Sequence, residues 1–549
     1  MDYRERYEQW LGFDEKTREE LIGIQDEKEI EDRFYKDLEF GTGGLRGIMG
    51  AGANRMNYYT VSKATKGLAD YLLDKNKGKS ISVAIGYDVR NNSSYFAHTA
   101  ASVLNANGIK AYVFDTVMPT PILSFAVKYK GCDAGIVLTA SHNPKEYNGY
   151  KVYNHLGCQL SVYEANDVIK FVNAVDDLKG IAHTQKDEAI GNGLFEYMGS
   201  DVLDAFIKEV RTQSLYESKS DLKIVYTPLH GTGNIPVRRI LENFDVSVVR
   251  EQEMPDGNFS TVRSPNPEEK DALILAIEQA KRENADLVIG TDPDSDRIGI
   301  SVRHNGEYPL ITGNQVGALL AKFVLSQKKE RGLLNDKSTL VTTIVTSPLG
   351  AEIAKSYALK TEFVLTGFKN ICGRIEEYEK TGKNEFVMGY EESYGYLVGT
   401  HARDKDAVVS SLLVAEMTAY YKDRGMTLVD ALNEIYSEFG FYLDSLETFV
   451  LKGKDGAEKI QSLMSKFRNN SENLFSDVDY IEDYSQGFNG LPKENVLKFY
   501  FTDKSFAAVR PSGTEPKLKV YYSIRAKNKE TASSRLEEIR KVFDNIING

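Results

Sequence analysis

Three aspartates at alternate positions, Asp292, Asp294 and Asp296, set the most specific chemical requirement in the chain. In an extended segment, residues at i, i+2 and i+4 point the same way. Carboxylates gathered on one face repel unless a cation lies between them. Oxygen ligands of this kind suit a hard divalent ion. Three carboxylates underfill an octahedral shell and leave room for a phosphate oxygen. The segment is no EF-hand, because its sixth position is Arg297 rather than Gly and its twelfth is Arg303 rather than Glu. A solvated acidic turn is the plainer alternative. Three carboxylates in register at a strand end, followed by Arg297, favour the metal.

Ser141 lies in a second loop, Thr139-Ala140-Ser141-His142-Asn143-Pro144, directly after an apolar run over 134–138. That puts its hydroxyl at a sheet's edge, where α/β proteins place ligands. No Gly-x-Ser-x-Gly elbow surrounds it, so a hydrolase of that kind is not indicated. Two glycine-rich basic loops could each wrap a phosphate with charge-assisted and backbone hydrogen bonds. One is Gly41-Thr42-Gly43-Gly44-Leu45-Arg46-Gly47, which offers backbone N–H groups and the Arg46 guanidinium. The other is Arg510-Pro511-Ser512-Gly513-Thr514-Glu515-Pro516-Lys517. Neither fits a nucleotide-binding motif. Each could equally be a tight turn. Glu391 and Ser393 add an acceptor and a donor–acceptor suited to adjacent sugar hydroxyls; alone, paired Glu residues are usually just solvated.

The elements that must position these loops repeat. An apolar strand runs into a polar loop at 134–144, at 285–296 and at 385–395, and each copy has an upstream strand and turn, at 83–88, 225–231 and 345–350. Short β-branched runs alternate with helical stretches, which signals βαβ units and mostly parallel sheets. The fold class expected is α/β, with three similar α/β domains of mixed, mostly parallel sheet. A C-terminal α+β domain completes the set, and all four surround a central cleft. Boundaries are placed at 1–40 for a helical N-terminal extension packed outside, 41–205 for the Ser141 domain and 206–313 for the aspartate domain. The Glu391 domain is set at 314–440 and the Arg510 domain at 441–549. The tail from about 440 reads helix, strand, helix and then a hairpin of 496–501 with 518–522.

The chain has 549 residues, 41% hydrophobic and 27% charged, with a net charge of −12. That balance argues against a nucleic-acid partner. It also requires that basic residues be gathered locally around any anionic substrate. Three cysteines without a C-x-x-C pair argue against a disulfide framework or a zinc site. The sequence shows no signal peptide and no apolar run of membrane-spanning length, so no membrane partner is expected and the location read is cytoplasmic.

Five motifs in order, around Arg46, Ser141, Asp292, Glu391 and Arg510, span about 480 residues and resemble the α-D-phosphohexomutase superfamily. The resemblance implies an enzyme that moves a phosphoryl group within a sugar phosphate, a small-molecule substrate. It implies Ser141 as a phosphoserine. Asp292, Asp294, Asp296 and Ser141 would hold Mg²⁺, and glucose 1,6-bisphosphate would serve as activator. Glu391 and Ser393 match sugar-reading residues. Arg510, Ser512, Gly513 and Thr514 match a distal phosphate site, with Lys517 a plausible addition. Arg46, His142, Lys151 and Arg297 match residues near the transferred group. The run Tyr147-Asn148-Gly149-Tyr150-Lys151 looks most like the branch holding phosphoglucomutases and phosphopentomutases, with glucose as the leading sugar and mannose or pentose phosphates as alternatives. Several relatives carry a His just after the sugar-reading Ser, but here the stretch is Tyr394-Gly395-Tyr396. Lys151, Lys369 and Lys405 are therefore the acid/base candidates. The rival from the residues is a phosphatase of the haloacid dehalogenase type, with Asp292 as nucleophile and Asp294 as acid. Monomer and homodimer remain equal readings.

Overall fold

Aspartates open each of the three N-terminal helices. Tyr3–Trp10 begins at Asp2 with a capping box to Glu5, Glu15–Ile22 begins at Asp14, and Glu27–Phe34 begins at Asp26. Each carboxylate accepts from a backbone N–H that the first turn cannot satisfy itself. The apolar sides of these helices bury Trp10, Leu21, Ile30 and Phe34 against Ala51, Ala53 and Tyr59. The computed structural model describes residues 2–548 apart from 42, 220, 452, 470, 472–473 and 513–516, and leaves out the side chains of 453–455 and 457. Gly513 and Thr514 thus lie outside the described residues.

Three mixed sheets share one strand order. In the first, Tyr147–Asn154 runs antiparallel to Ala134–Leu138, which is followed in parallel by Ser82–Tyr87 and Lys110–Phe114. In the second the same places are taken by Ile298–Val302, Leu287–Thr291, Lys223–Thr227 and Asp245–Val248. In the third they are taken by Gly395–Val398, Glu385–Glu391, Ser338–Thr343 and Lys360–Val364. Ala134–Leu138 and Leu287–Thr291 are buried at every position, as continuous apolar strands covered on both faces should be. The Ser141 loop, the Asp292 loop and the Glu391 loop are therefore the same connection in three copies. Each holds one non-glycine residue in the left-handed region: Ser141 at φ 52°, Ser295 at 52° and Tyr394 at 62°. Such conformations are uncommon and concentrate at functional turns.

The fourth sheet is wholly antiparallel, in the order Phe441–Val450, Lys517–Ala526, Phe506–Pro511, Leu497–Phe501, Val478–Asp483. It packs on the helices Gly453–Asn469 and Lys529–Asn548 through a core that includes Phe467, Phe499, Val520 and Phe543. This corrects the expected tail in two ways. A strand, not a helix, opens it, and the two arms of the expected hairpin do not pair with each other because Phe506–Pro511 lies between them. Its Ala507-Ala508 pair and its Arg510-Pro511 end hid this strand, because neither alanine nor proline marks a strand in sequence. Among the described residues, no helix is long and apolar enough to cross a membrane.

Candidate active site

The three aspartates converge, though not from an extended segment. A turn closed by the Ser295 N–H donating to the Asp292 carbonyl at 2.9 Å folds the loop back. Ligand atoms of all three carboxylates lie within 4.8 Å of one another, and all three side chains are buried. Asp292 Oδ1 accepts the backbone N–H groups of Asp296 and Arg297 at 3.1 and 3.0 Å. Asp294 Oδ2 accepts the Lys151 ammonium and the Thr120 hydroxyl, each at 2.9 Å. Asp294 Oδ1 and both oxygens of Asp296 have no hydrogen-bond partner. Buried polar atoms are seldom left so. An all-oxygen donor set with orphaned carboxylate oxygens fits a hard divalent cation.

Ser141 stands over this triad. Its hydroxyl donates to Asp292 Oδ2 at 2.8 Å, and His142 Nδ1 is 3.3 Å away. Burial, then the Asp294 and Asp296 charges, pushes the Asp292 carboxyl well above its usual range. Burial acts the same way on Asp294, but Lys151 outweighs it and holds that carboxyl low. Partial burial, with the Arg297 and Arg46 charges, keeps His142 well below the ordinary imidazole value, so it is neutral at neutral pH. Lys151 and Lys405 are buried, yet the carboxylates around them keep both protonated. Lys405 Nζ lies 3.1 Å from Asp296 and 3.2 Å from Asp404. Lys151, Lys405 and Arg297, whose Nε is 3.7 Å from Asp296, border the triad, with Lys405 and Arg297 shared with Asp404 and Glu268.

Arg297 reaches the third loop, where it donates to the Ser393 carbonyl at 3.1 Å and pairs with Glu268. Glu391 is buried and accepts the Gly367 N–H at 2.7 Å. Burial and Glu391 push the neighbouring Glu392 carboxyl up to about 7. Arg46 donates to Asn143 Oδ1 at 3.1 Å, beside the serine. In its own loop, Gly41 and Gly44 spend their N–H groups on each other's carbonyls at 2.9 Å, so fewer donors face outward than the sequence suggested. Gly44 is required there, since a Cβ would sit 1.9 Å from the Tyr150 carbonyl oxygen.

Arg510 ends its strand half-buried, 3.6 Å from Glu494, and the Ser512 N–H donates to the Lys517 carbonyl at 2.7 Å. At Lys369 burial lowers the amine and the Glu494 charge pulls it back up.

Several residues escaped the sequence reading. Lys519 is in register with Arg510 on the neighbouring strand, and its amine is lowered by burial while Glu392 pulls it back up. Thr120 and Asp404 join elements far apart in sequence; Asp404 accepts Tyr153 Oη at 2.7 Å and Gln159 Nε2 at 2.8 Å. Arg90 is the most consequential. Its buried guanidinium donates to the carbonyls of Ser141, Asn143, Pro144 and Tyr147, and its Nε lies 3.2 Å from the fully buried Asp88. The strand-and-turn at 83–88 was visible in sequence, but donors that act on backbone carbonyls leave no pattern. Arg90→Met should lower the unfolding free energy by about 3–5 kcal/mol, as expected when one partner of a buried pair is removed. It should also cut the fraction of protein that carries phosphate on Ser141. Thermal unfolding and intact-mass analysis measure the two effects; a variant unchanged in both would remove the clamp.

Family models described as Phosphoglucomutase/phosphomannomutase alpha/beta/alpha domains I, II and III match residues 37–179, 204–306 and 312–439, and the C-terminal domain model matches 452–542. The chain is 39% identical over 520 residues to a protein named phosphoglucomutase from Staphylococcus haemolyticus, covering 92% of this chain and 93% of that one. It is 36% identical to the Staphylococcus saprophyticus protein of the same name, covering 96% and 98%. Among solved structures it resembles the open form of parafusin, a Paramecium phosphoglucomutase, with a TM-score of 0.70, 18% identity, and 93% and 95% coverage. It also resembles a Burkholderia thailandensis phosphoglucomutase/phosphomannomutase family protein with a TM-score of 0.68, 18% identity, and 92% and 96% coverage. These two likenesses concern the fold.

Proposed function

The chain belongs to the phosphoglucomutase/phosphomannomutase family, and from that membership we propose that it interconverts glucose 1-phosphate and glucose 6-phosphate. The observation that carries the reading is the Ser141 hydroxyl, 2.8 Å from Asp292 in a buried aspartate triad and bordered by the Glu391 loop through Arg297.

Asp292, Asp294 and Asp296, with an oxygen of phospho-Ser141, would hold Mg²⁺, which draws charge from the transferring group. In the first half-reaction the Ser141 Oγ–P bond breaks and a bond forms from phosphorus to the free hydroxyl of the hexose monophosphate. The hydroxyl proton passes to a base of the enzyme. Lys151 and Lys405 enter this step protonated, so each suits the acid role at the departing Ser141 Oγ rather than the acceptor of this proton. Lys151 is tied to Asp294. Glu391 and Ser393 orient the sugar hydroxyls. Arg46, His142 and Arg297 border the transferring phosphoryl group, where positioning and charge neutralisation carry most of the catalysis. The glucose 1,6-bisphosphate so formed turns over and returns its other phosphate to Ser141, and the same compound primes unphosphorylated enzyme. The three free cysteines support the cytoplasmic setting.

Arg510, Ser512, Gly513, Thr514 and Lys517 are assigned to whichever phosphate is not reacting. A forked guanidinium–phosphate contact is among the stronger polar contacts. Hydrogen bonds to charged groups are worth about 1.5–3 kcal/mol, so Arg510→Ala should cost roughly ten- to a hundredfold in binding. Ground and transition states use the contact alike, so most of the loss falls in KM. The intermediate also escapes more often, which increases dependence on added bisphosphate. Unchanged KM and unchanged bisphosphate requirement in a folded variant would move the role elsewhere. Comparison of turnover on the 1-phosphates of glucose, mannose and ribose, with bisphosphate present, tests the sugar. Faster turnover on mannose or ribose would overturn the glucose assignment.

A further inference from the structure

Lys498 is a lysine buried to 3% exposure in the strand Leu497–Phe501 of the fourth sheet. Its Nζ lies 3.9 Å from the Phe506 ring centroid and 4.5 Å from that of Tyr500. Its hydrogen bond leaves the sheet altogether and reaches the carbonyl of Ile344 at 2.5 Å, in the turn after Ser338–Thr343 of the third sheet. Around it, Ile344, Val345 and Leu365 pack against Val496, Phe506, Ala508 and Tyr521. The two ends of this contact lead to the two halves of the substrate site. Lys498 is in register with Ala508, two residues before Arg510 on the same strand. In the turn, the Thr346 hydroxyl donates to Glu392 at 3.2 Å, next to Glu391.

We propose that Lys498 is a positioning residue that pins the Arg510 sheet to the sugar-loop domain and so sets the span between Arg510 and Glu391. The inference rests on the mutase reading of those two residues. An apolar seam alone fixes distance poorly along its plane, because dispersion contacts are not directional. A single directed donor supplies the missing register. The contact also has a proton dependence. Burial lowers the Lys498 amine to about 7, with Glu482 pulling it upward. Glu482 is the register partner of Lys498 and accepts the Tyr484 hydroxyl at 2.6 Å, while Tyr480 stacks on Tyr500 at 4.4 Å. Residues 344–347 of the facing turn, Ile-Val-Thr-Ser, carry no ionisable side chain. When the sheets part, water restores the ordinary amine value near 10.5. The docked state therefore binds fewer protons between those values, and docking strengthens as pH rises through that window, by up to tenfold per unit.

The test uses full-length Lys498→Met and Lys498→Gln. The Met variant keeps the aliphatic stem and loses the donor. Its KM for glucose 1-phosphate should rise roughly tenfold with kcat changed less, as loss of one such hydrogen bond predicts. The Gln variant keeps an N–H donor but cannot titrate. It should retain more affinity while losing the part of the wild-type KM that falls between pH 7 and 9. Amide hydrogen exchange at residues 344–347, corrected for intrinsic rates and run without substrate, should show protection that rises with pH in wild type and is flat in Lys498→Gln. Wild-type KM and pH profile in a folded Met variant would overturn the proposal. So would pH-independent protection of the turn in wild type, a result readable even if Lys498→Met does not fold or the chain proves to be no mutase.

Discussion

Ser141→Ala loses turnover to background while its unfolding midpoint stays near that of wild type. The hydroxyl makes one hydrogen bond to Asp292, so the stability change is on the order of 1 kcal/mol. Alanine meets the same left-handed backbone that serine does, so the change adds no new strain at φ 52°. The chemical loss is of another order, because a covalent route needs its nucleophile. Intact-mass measurement after incubation with glucose 1,6-bisphosphate should show one phosphoryl group on wild type and none on the variant. The label should survive acid, as a phosphoserine does. An acid- and base-labile phosphate would instead mean an aspartyl enzyme with Asp292 as nucleophile, and phosphate on any residue but Ser141 would sink the assignment.

Chelation should remove activity, and Mg²⁺ should restore it. The argument is the charge arrangement: three buried carboxylates, three of their oxygens without a hydrogen-bond partner, held by backbone N–H groups and by Thr120 from another domain. Asp294→Asn lowers the charge of the oxygen-only site and breaks the pair with Lys151. Outer-shell changes alone cost about ten- to a hundredfold in metal affinity, so loss of an inner carboxylate should exceed that. Titration of activity against Mg²⁺ reads the shift directly. Full activity in excess chelator would take the ion out of the mechanism.

The parts that were legible in sequence are those whose chemistry is local. Asp292, Asp294 and Asp296 announce themselves by spacing, whereas Ser141 after its apolar strand reads equally as a polar turn and takes its role from the ordered motifs around it. The repeat was legible because each copy obeys the same strand–loop–strand rhythm. Geometry was less so. The carboxylates converge through a turn at Ser295, not along an extended strand, because a left-handed residue is invisible unless it is glycine. Arg90, Thr120, Lys519 and Lys498 act on partners that the fold, not the sequence, brings near, and Arg90 and Lys498 donate to backbone carbonyls, which carry no residue signature.

The Arg90 clamp divides the work of the reaction between a still part and a moving part. Four carbonyls of the serine loop are tied to one buried guanidinium, which is itself set beside the buried Asp88. The serine loop is therefore fastened from behind, and in the proposed reaction Ser141 would stay in place while the sugar changes ends. In the proposed reaction the half-turn between transfers would fall to the bisphosphate alone, at a stage when Ser141 carries no phosphoryl group. Return of the second phosphate to the same hydroxyl would then depend on how tightly one loop is fastened, by a guanidinium set behind it.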